Sequence, residues 1–68
     1  MKQVSGRELA KVIQRRGWTL ARINGSHHIF TKPGYRERLV IPIHGNSPLK
    51  TGLLRSLMKL AGLSEYDL

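Results

Sequence analysis

The chain has 68 residues and no cysteine, so we expect one small domain over residues 1–68, without disulfides or thiolate metal sites. Twelve Lys and Arg stand against four acidic residues, and the net charge of +8 favours a polyanionic partner. Nucleic acid is the commonest such partner, followed by an anionic membrane and an acidic protein. Because no apolar run could span a membrane and no signal peptide is evident, we expect a complete cytoplasmic protein with no membrane partner.

A first helix is predicted over residues 6–16. Ser5 and Glu8 have the spacing of a capping box, and Gly17 is placed to end the helix. One helix face is apolar. The opposite face carries a row of cations at four-residue spacing, Arg7, Lys11 and Arg15. Because like charges in one row repel each other, this row favours contact with an anionic ligand.

Three strands are predicted next, over residues 18–23, 27–31 and 39–43. Asn24-Gly25 is a strong hairpin signal, and the Pro33-Gly34 turn follows the second strand, in a loop that leaves the strand register open. Pro42 favours an edge position or a strand end for the third strand. Trp18 could stack on a base, but its place just after the first helix favours the core instead.

A second helix is predicted to begin at Ser47-Pro48, a capping side chain followed by proline, and to end at Gly62. The acidic tail, residues 64–68, is expected to be loosely held. The element order predicts a two-layer α+β fold, α-β-β-β-α, with a three-stranded antiparallel sheet and both helices on one face. Double-stranded-RNA-binding domains share this arrangement.

The candidates for chemistry are the three histidines, His27, His28 and His44. His27 and His28 are neighbours on a strand and point to opposite faces, which disfavours a shared metal. No cysteine or nearby carboxylate completes a ligand set, so we expect neither a metal nor a cofactor. A histidine can instead move a proton, and RNA carries its own nucleophile, the ribose 2′-hydroxyl. The residues alone favour the simpler interpretation of a polar strand histidine.

Three segments resemble a known family: residues 25–30, the Pro33-Gly34 turn and residues 52–63. With the element order, they resemble the HicA family of toxin mRNA interferases over essentially the whole chain. The first segment matches the family pattern Gly-Ser-x-His, so the resemblance assigns the catalytic histidine to His28 and a variable position to His27. The third segment departs from the commonest pattern, because Gly52-Leu53-Leu54 stands where Gly-Thr-Leu is frequent.

The resemblance implies the toxin of a type II toxin–antitoxin system, a metal-independent endoribonuclease that cuts mRNA and is blocked by a HicB-type antitoxin. His28 would be the general acid or base, supported by the turn at Gly25 and Ser26. The cations expected to contact RNA are Lys32, Arg36, Arg38, Arg7, Lys11 and Arg15. The alternative is a non-catalytic double-stranded-RNA-binding module of the same fold, and a purely protein-binding domain is a third hypothesis. The sequence leaves the oligomeric state open.

Overall fold

A computed structural model describes residues 3–68, so the first two residues of the predicted domain lie outside the described part of the chain. The elements are α1 Gly6–Arg15, β1 Thr19–Asn24, β2 His27–Thr31, β3 Leu39–Pro42 and α2 Thr51–Ala61. A short 3-10 helix, Glu65–Asp67, follows α2. The predicted order of helix, three strands and helix is confirmed. Across residues 3–68, the helices are too short or too polar to cross a bilayer.

The sheet is antiparallel with the strand order β1-β2-β3, so β3 is an edge strand, as Pro42 predicted. Phe30 lies opposite Leu39, and both side chains are buried on the same face of the sheet. The apolar stripes of α1 and α2 join them in a single core. Both helices therefore lie on one face of the sheet.

Local side-chain chemistry sets the bounds of α1. The Ser5 Oγ accepts from the Glu8 amide at 3.1 Å, and the Ser5 amide donates to the Glu8 carboxylate at 3.3 Å, which completes the capping box. At the other end Gly17 has a φ of +98°, and the Trp18 amide donates to the Ile13 carbonyl at 3.1 Å. The predicted cap and stop are both confirmed, although α1 ends one residue earlier than expected.

The two hairpin connections differ in length. The first has two residues, Gly25 and Ser26, and the φ of +62° at Gly25 is the pattern of a type II′ turn. The second connection spans residues 32–38. In it the Tyr35 amide donates to the Lys32 carbonyl at 3.1 Å, which closes the turn at Pro33-Gly34. The longer second connection agrees with the sequence expectation.

The start of α2 differs from the prediction, because Ser47-Pro48 does not begin a helix. Pro48 forms an isolated antiparallel bridge with Ser5, and the Leu49 amide donates to the Val4 carbonyl at 2.8 Å. This pairing holds the segment extended until Lys50, which is the N-cap of α2. A long-range backbone pairing therefore overrides the local helix-start signal.

The acidic tail is held to the rest of the protein, contrary to the expectation. Asp67 forms an ion pair with Arg16 at the end of α1. The same carboxylate accepts from the Ser64 amide at 2.8 Å, and Leu68 packs against the core. Of the four acidic residues, one is thus used to attach the tail.

The start of α1 lies directly against the end of β3. A Cβ atom at Gly6 would overlap the Pro42 carbonyl oxygen, and it would lie 3.1 Å from Ile43 Cγ1 and 3.2 Å from Ile41 Cγ2. A carbonyl oxygen of the sheet cannot move aside as a flexible side chain can. Gly6 is therefore required by close backbone approach.

We expect Gly6→Ala to lower the free energy of unfolding by about 1–3 kcal/mol, because the added methyl group overpacks this contact. Gly52→Ala is the matched control, since a Cβ at Gly52 meets nothing within 4 Å and alanine favours a helix. The control should be unchanged or more stable by up to about 1 kcal/mol. Urea unfolding measures both variants, and equal stability of the two would contradict the close approach.

Candidate functional site

His28 lies near the start of β2, on the face of the sheet that the helices cover. Its neighbour on β3 is Ile41, which is fully buried. Its neighbour on β1 is Ile23, which is 54% exposed, and the other five residues of β1 are exposed to solvent as well. The half-buried imidazole of His28 therefore stands at the border of the core, backed by β3 and open toward β1.

One hydrogen bond orients the imidazole. His28 Nδ1 lies 3.2 Å from the Ser26 carbonyl oxygen. Because a carbonyl oxygen can only accept, Nδ1 carries the proton in the neutral ring, and the lone pair is on Nε2. The same carbonyl oxygen accepts from the Ile43 amide at 2.9 Å. The turn before β2 is thus anchored to the end of β3, and the anchored carbonyl holds His28.

Gly25 and Ser26, the predicted supporting turn, are both in position beside His28. The space around Gly25 is open, since a Cβ there would meet nothing within 4 Å. The requirement for glycine is therefore its positive φ, which an L-residue adopts at a cost. Ser26 contributes its carbonyl oxygen, a backbone atom that sequence reasoning had no means to single out.

The other two histidines lie away from His28. His27 is exposed and lies opposite Pro42, on the face of the sheet that the helices leave free. The predicted division of the histidine pair between two faces is confirmed. His44 is exposed and lines a groove of about 240 Å³ between the end of β3 and the start of α2. Within residues 3–68, no three His, Asp or Glu side chains are grouped as metal ligands would be.

The direction of α1 determines where the predicted RNA-contacting cations lie. The helix begins beside Ile41, the neighbour of His28. It ends beside the β2–β3 loop, because a Cβ at Gly17 would lie 3.3 Å from Lys32 Cε. Helix α1 therefore runs along β2, and about 13 Å separates His28 from Lys32 at the usual rise per strand residue.

The six cations consequently form a band and do not converge on His28. Arg7 is at the His28 end of α1, and Lys11 lies one turn further along. The remaining four lie toward the far end of β2, at the end of α1 and in the β2–β3 loop: Arg15, Lys32, Arg36 and Arg38. A ligand that contacts the whole band must extend along the domain.

An aromatic pair at the far end of the band was not foreseen from the sequence. Trp18 is 2% exposed, which confirms its predicted place in the core, and its ring centroid lies 5.1 Å from that of Tyr35. In the described part of the chain, the buried Trp18 Nε1 has no hydrogen-bond partner. Lys32 Nζ lies 5.1 Å from the Tyr35 ring centroid. A tyrosine directly after the Pro33-Gly34 turn was the available signal.

Together, the fold and the site define a small basic α+β domain with one oriented histidine at the open border of its sheet. The family described as HicA toxin of bacterial toxin-antitoxin matches residues 6–63 of the 68-residue chain. The chain belongs to the HicA toxin family and is the toxin of a toxin–antitoxin pair, which implies an antitoxin as its partner. Comparison with curated proteins gave no match.

The hydrogen bond to Ser26 predicts the tautomer of His28. In NMR spectra at a pH where the histidines are neutral, we expect the His28 proton on Nδ1, because the carbonyl oxygen requires a donor there. The exposed His27 and His44 provide reference signals from the same spectrum. A neutral His28 protonated on Nε2 would show that the contact is absent in solution.

Proposed function

We propose that this toxin is a metal-independent endoribonuclease that cuts mRNA in the cytoplasm, with His28 as general acid or base. The observation that carries the proposal is the contact of Nδ1 with the Ser26 carbonyl oxygen, which leaves the Nε2 lone pair free to accept a proton. The position of the ring between buried Ile41 and exposed Ile23 supports access by a ligand. Membership of a family of generally RNase-type toxins supports the same assignment.

The proposed reaction uses the nucleophile that RNA itself supplies. His28 Nε2 removes the proton of a ribose 2′-hydroxyl, and the 2′-oxygen then attacks the adjacent phosphorus. The bond from phosphorus to the 5′-oxygen of the next nucleotide breaks, and that oxygen takes up a proton. The products are a 2′,3′-cyclic phosphate and a free 5′-hydroxyl. Since the nucleophile is part of the substrate, the reaction requires no metal-bound water.

Cations stabilise the charge that builds up on the phosphorus centre. Among the six predicted RNA contacts, Arg7 lies at the end of α1 that begins beside Ile41, the neighbour of His28. We therefore assign Arg7 to the phosphate that reacts, or to its nearest neighbour. The other five cations, Lys11, Arg15, Lys32, Arg36 and Arg38, contact phosphates further along the RNA.

The antitoxin is proposed to be a HicB-type protein that covers the same basic surface. Among residues 3–68 the one ion pair joins Arg16 and Asp67, so none of the six predicted RNA contacts is held in an ion pair within this part of the chain. An acidic partner surface fits a domain with a net charge of +8. Binding there would exclude RNA by occupying both the cations and the approach to His28.

A non-catalytic double-stranded-RNA-binding module is the second candidate. It is favoured by the order of the elements and by a cationic band that extends well beyond His28. The likeness to double-stranded-RNA-binding domains stays a prediction. This candidate requires RNA binding without cleavage, whereas a purely protein-binding domain requires no affinity for RNA even at low salt.

We expect His28→Ala to reduce the rate of RNA cleavage by about 10²–10⁴-fold or more, because the proton-transfer group is removed. His27→Ala is the matched control, since His27 lies on the opposite face of the sheet and should retain parental activity. Cleavage of a labelled RNA, followed by gel electrophoresis, measures both variants. Full activity of His28→Ala would refute the assignment of this residue.

The same assay tests the chemistry. Cleavage by the parent protein should be unchanged by a chelator, and it should stop when the nucleotide at the cut has a 2′-deoxyribose. Loss of activity with chelator would contradict the metal-independent reaction. Cleavage of the 2′-deoxy substrate would contradict attack by the 2′-oxygen.

We expect Lys11→Ala to weaken RNA binding and to lower the slope of log affinity against log salt by about 0.7–0.9, the value of one phosphate contact. Arg22→Ala is the control, because Arg22 on β1 lies opposite Ile29 on the face away from the helices. Fluorescence anisotropy at several salt concentrations measures the slopes in a His28→Ala background. Equal slopes for the two variants would remove Lys11 from the RNA surface.

A further inference from the structure

Tyr35 is an exposed aromatic ring on a rigid support. It is 43% exposed in the β2–β3 loop, whereas Trp18 beneath it is 2% exposed and belongs to the core. The two ring centroids are 5.1 Å apart, and the ring planes make an angle of 56°. The Tyr35 amide is also fixed by its hydrogen bond to the Lys32 carbonyl. Tyr35 is therefore held at the surface in a defined orientation.

One cation lies over this ring, and two more follow it in the sequence with Glu37 between them. Lys32 Nζ lies 5.1 Å from the ring centroid, and Arg36 and Arg38 follow in the same exposed loop. Surfaces that bind single-stranded nucleic acid combine aromatic rings, on which bases stack, with cations that contact phosphates. Tyr66, the other tyrosine, differs from Tyr35 in its exposure and in the charge of its neighbours in the sequence. It is 99% exposed, and it stands between the acidic Glu65 and Asp67.

We propose that Tyr35 stacks on an unpaired nucleobase of the RNA, while Lys32, Arg36 and Arg38 contact the flanking phosphates. A base within a duplex has both faces covered by its neighbours. This contact therefore selects RNA that is single-stranded where it meets the β2–β3 loop of the protein. Stacking is compatible with any base, because each has a π-face. The ligand of this subsite is therefore an unpaired base, without a requirement for its identity.

The position of the subsite relative to the cut rests on the proposed function of His28. Lys32 directly follows β2 and lies about 13 Å from His28, and Tyr35 lies next to Lys32. The stacked base consequently belongs to a nucleotide a few positions from the bond that is broken. Tyr35 is a binding residue that sets the register of the RNA on the band, and it takes no part in proton transfer.

The test measures binding of a labelled single-stranded RNA at low salt by fluorescence anisotropy, in the full chain with His28→Ala so that the RNA stays intact. Tyr35→Leu keeps an apolar cover on Trp18 but removes the π-face, and it should weaken binding by about fivefold to a hundredfold. Tyr35→Phe should bind like the parent. Tyr66→Leu, the matched control, should also bind unchanged.

A second measurement separates stacking from a structural effect of the substitution. An abasic nucleotide is placed at each position of the RNA in turn. At one position the losses from the abasic nucleotide and from Tyr35→Leu should be non-additive, because both remove the same contact. Urea unfolding of the variants identifies any loss of folded protein, and Tyr35→Phe with parental stability keeps the test valid if Tyr35→Leu unfolds.

Parental affinity of Tyr35→Leu would overturn the subsite, as would additive losses at every position or weaker binding by Tyr35→Phe equal to that of Tyr35→Leu. The ribonuclease proposal fails on a different result, the absence of cleavage by the parent protein. Non-additive losses at one position, combined with no cleavage, would leave the base-binding subsite standing and remove only its relation to a cut.

Discussion

The contact between the backbone of Gly6 and the end of β3 is the constraint on which the packing of this domain depends. It allows α1 to begin directly over Ile41 and Pro42, so that the apolar face of the helix enters the core at once. The residues just before Gly6 pair with Pro48 and Leu49, which sets where α2 begins. The close approach at Gly6 and the pairing just before it thus set where both helices begin, and the approach lies beside Ile43, whose amide anchors the turn before His28.

Features governed by neighbours in the sequence were predictable. The capping box of Ser5 and Glu8 forms from residues three positions apart, and the positive φ of Gly25 is a local property of a tight turn. The helix-start signal at Ser47-Pro48 is equally local, but it was wrong. Its outcome was decided by a backbone pairing with Ser5, more than forty residues earlier in the chain, which no local pattern contains.

The same distinction applies to the candidate site. Strand alternation was enough to separate His27 from His28, because the side-chain period of a strand is fixed. The arrangement of the cations depended on the direction of α1 relative to β2, which only tertiary packing determines. Tyr35 was missed for a related reason. Its ring packs against Trp18, which precedes β1, whereas Tyr35 follows β2, so only the folded sheet brings the two together. Tyr35 is a candidate binding residue only because the buried Trp18 ring supports it.

The double use of the Ser26 carbonyl oxygen links the orientation of His28 to the chain that follows β3. Because this oxygen accepts from both His28 and the Ile43 amide, opening of the chain after β3 would release the turn and with it the orientation of the imidazole. Local opening requires only part of the free energy of global unfolding. The hydrogen-exchange protection of a single amide, that of Ile43, therefore reports how firmly the histidine is held, and a ligand that loosens this end of the sheet would release the imidazole without touching His28.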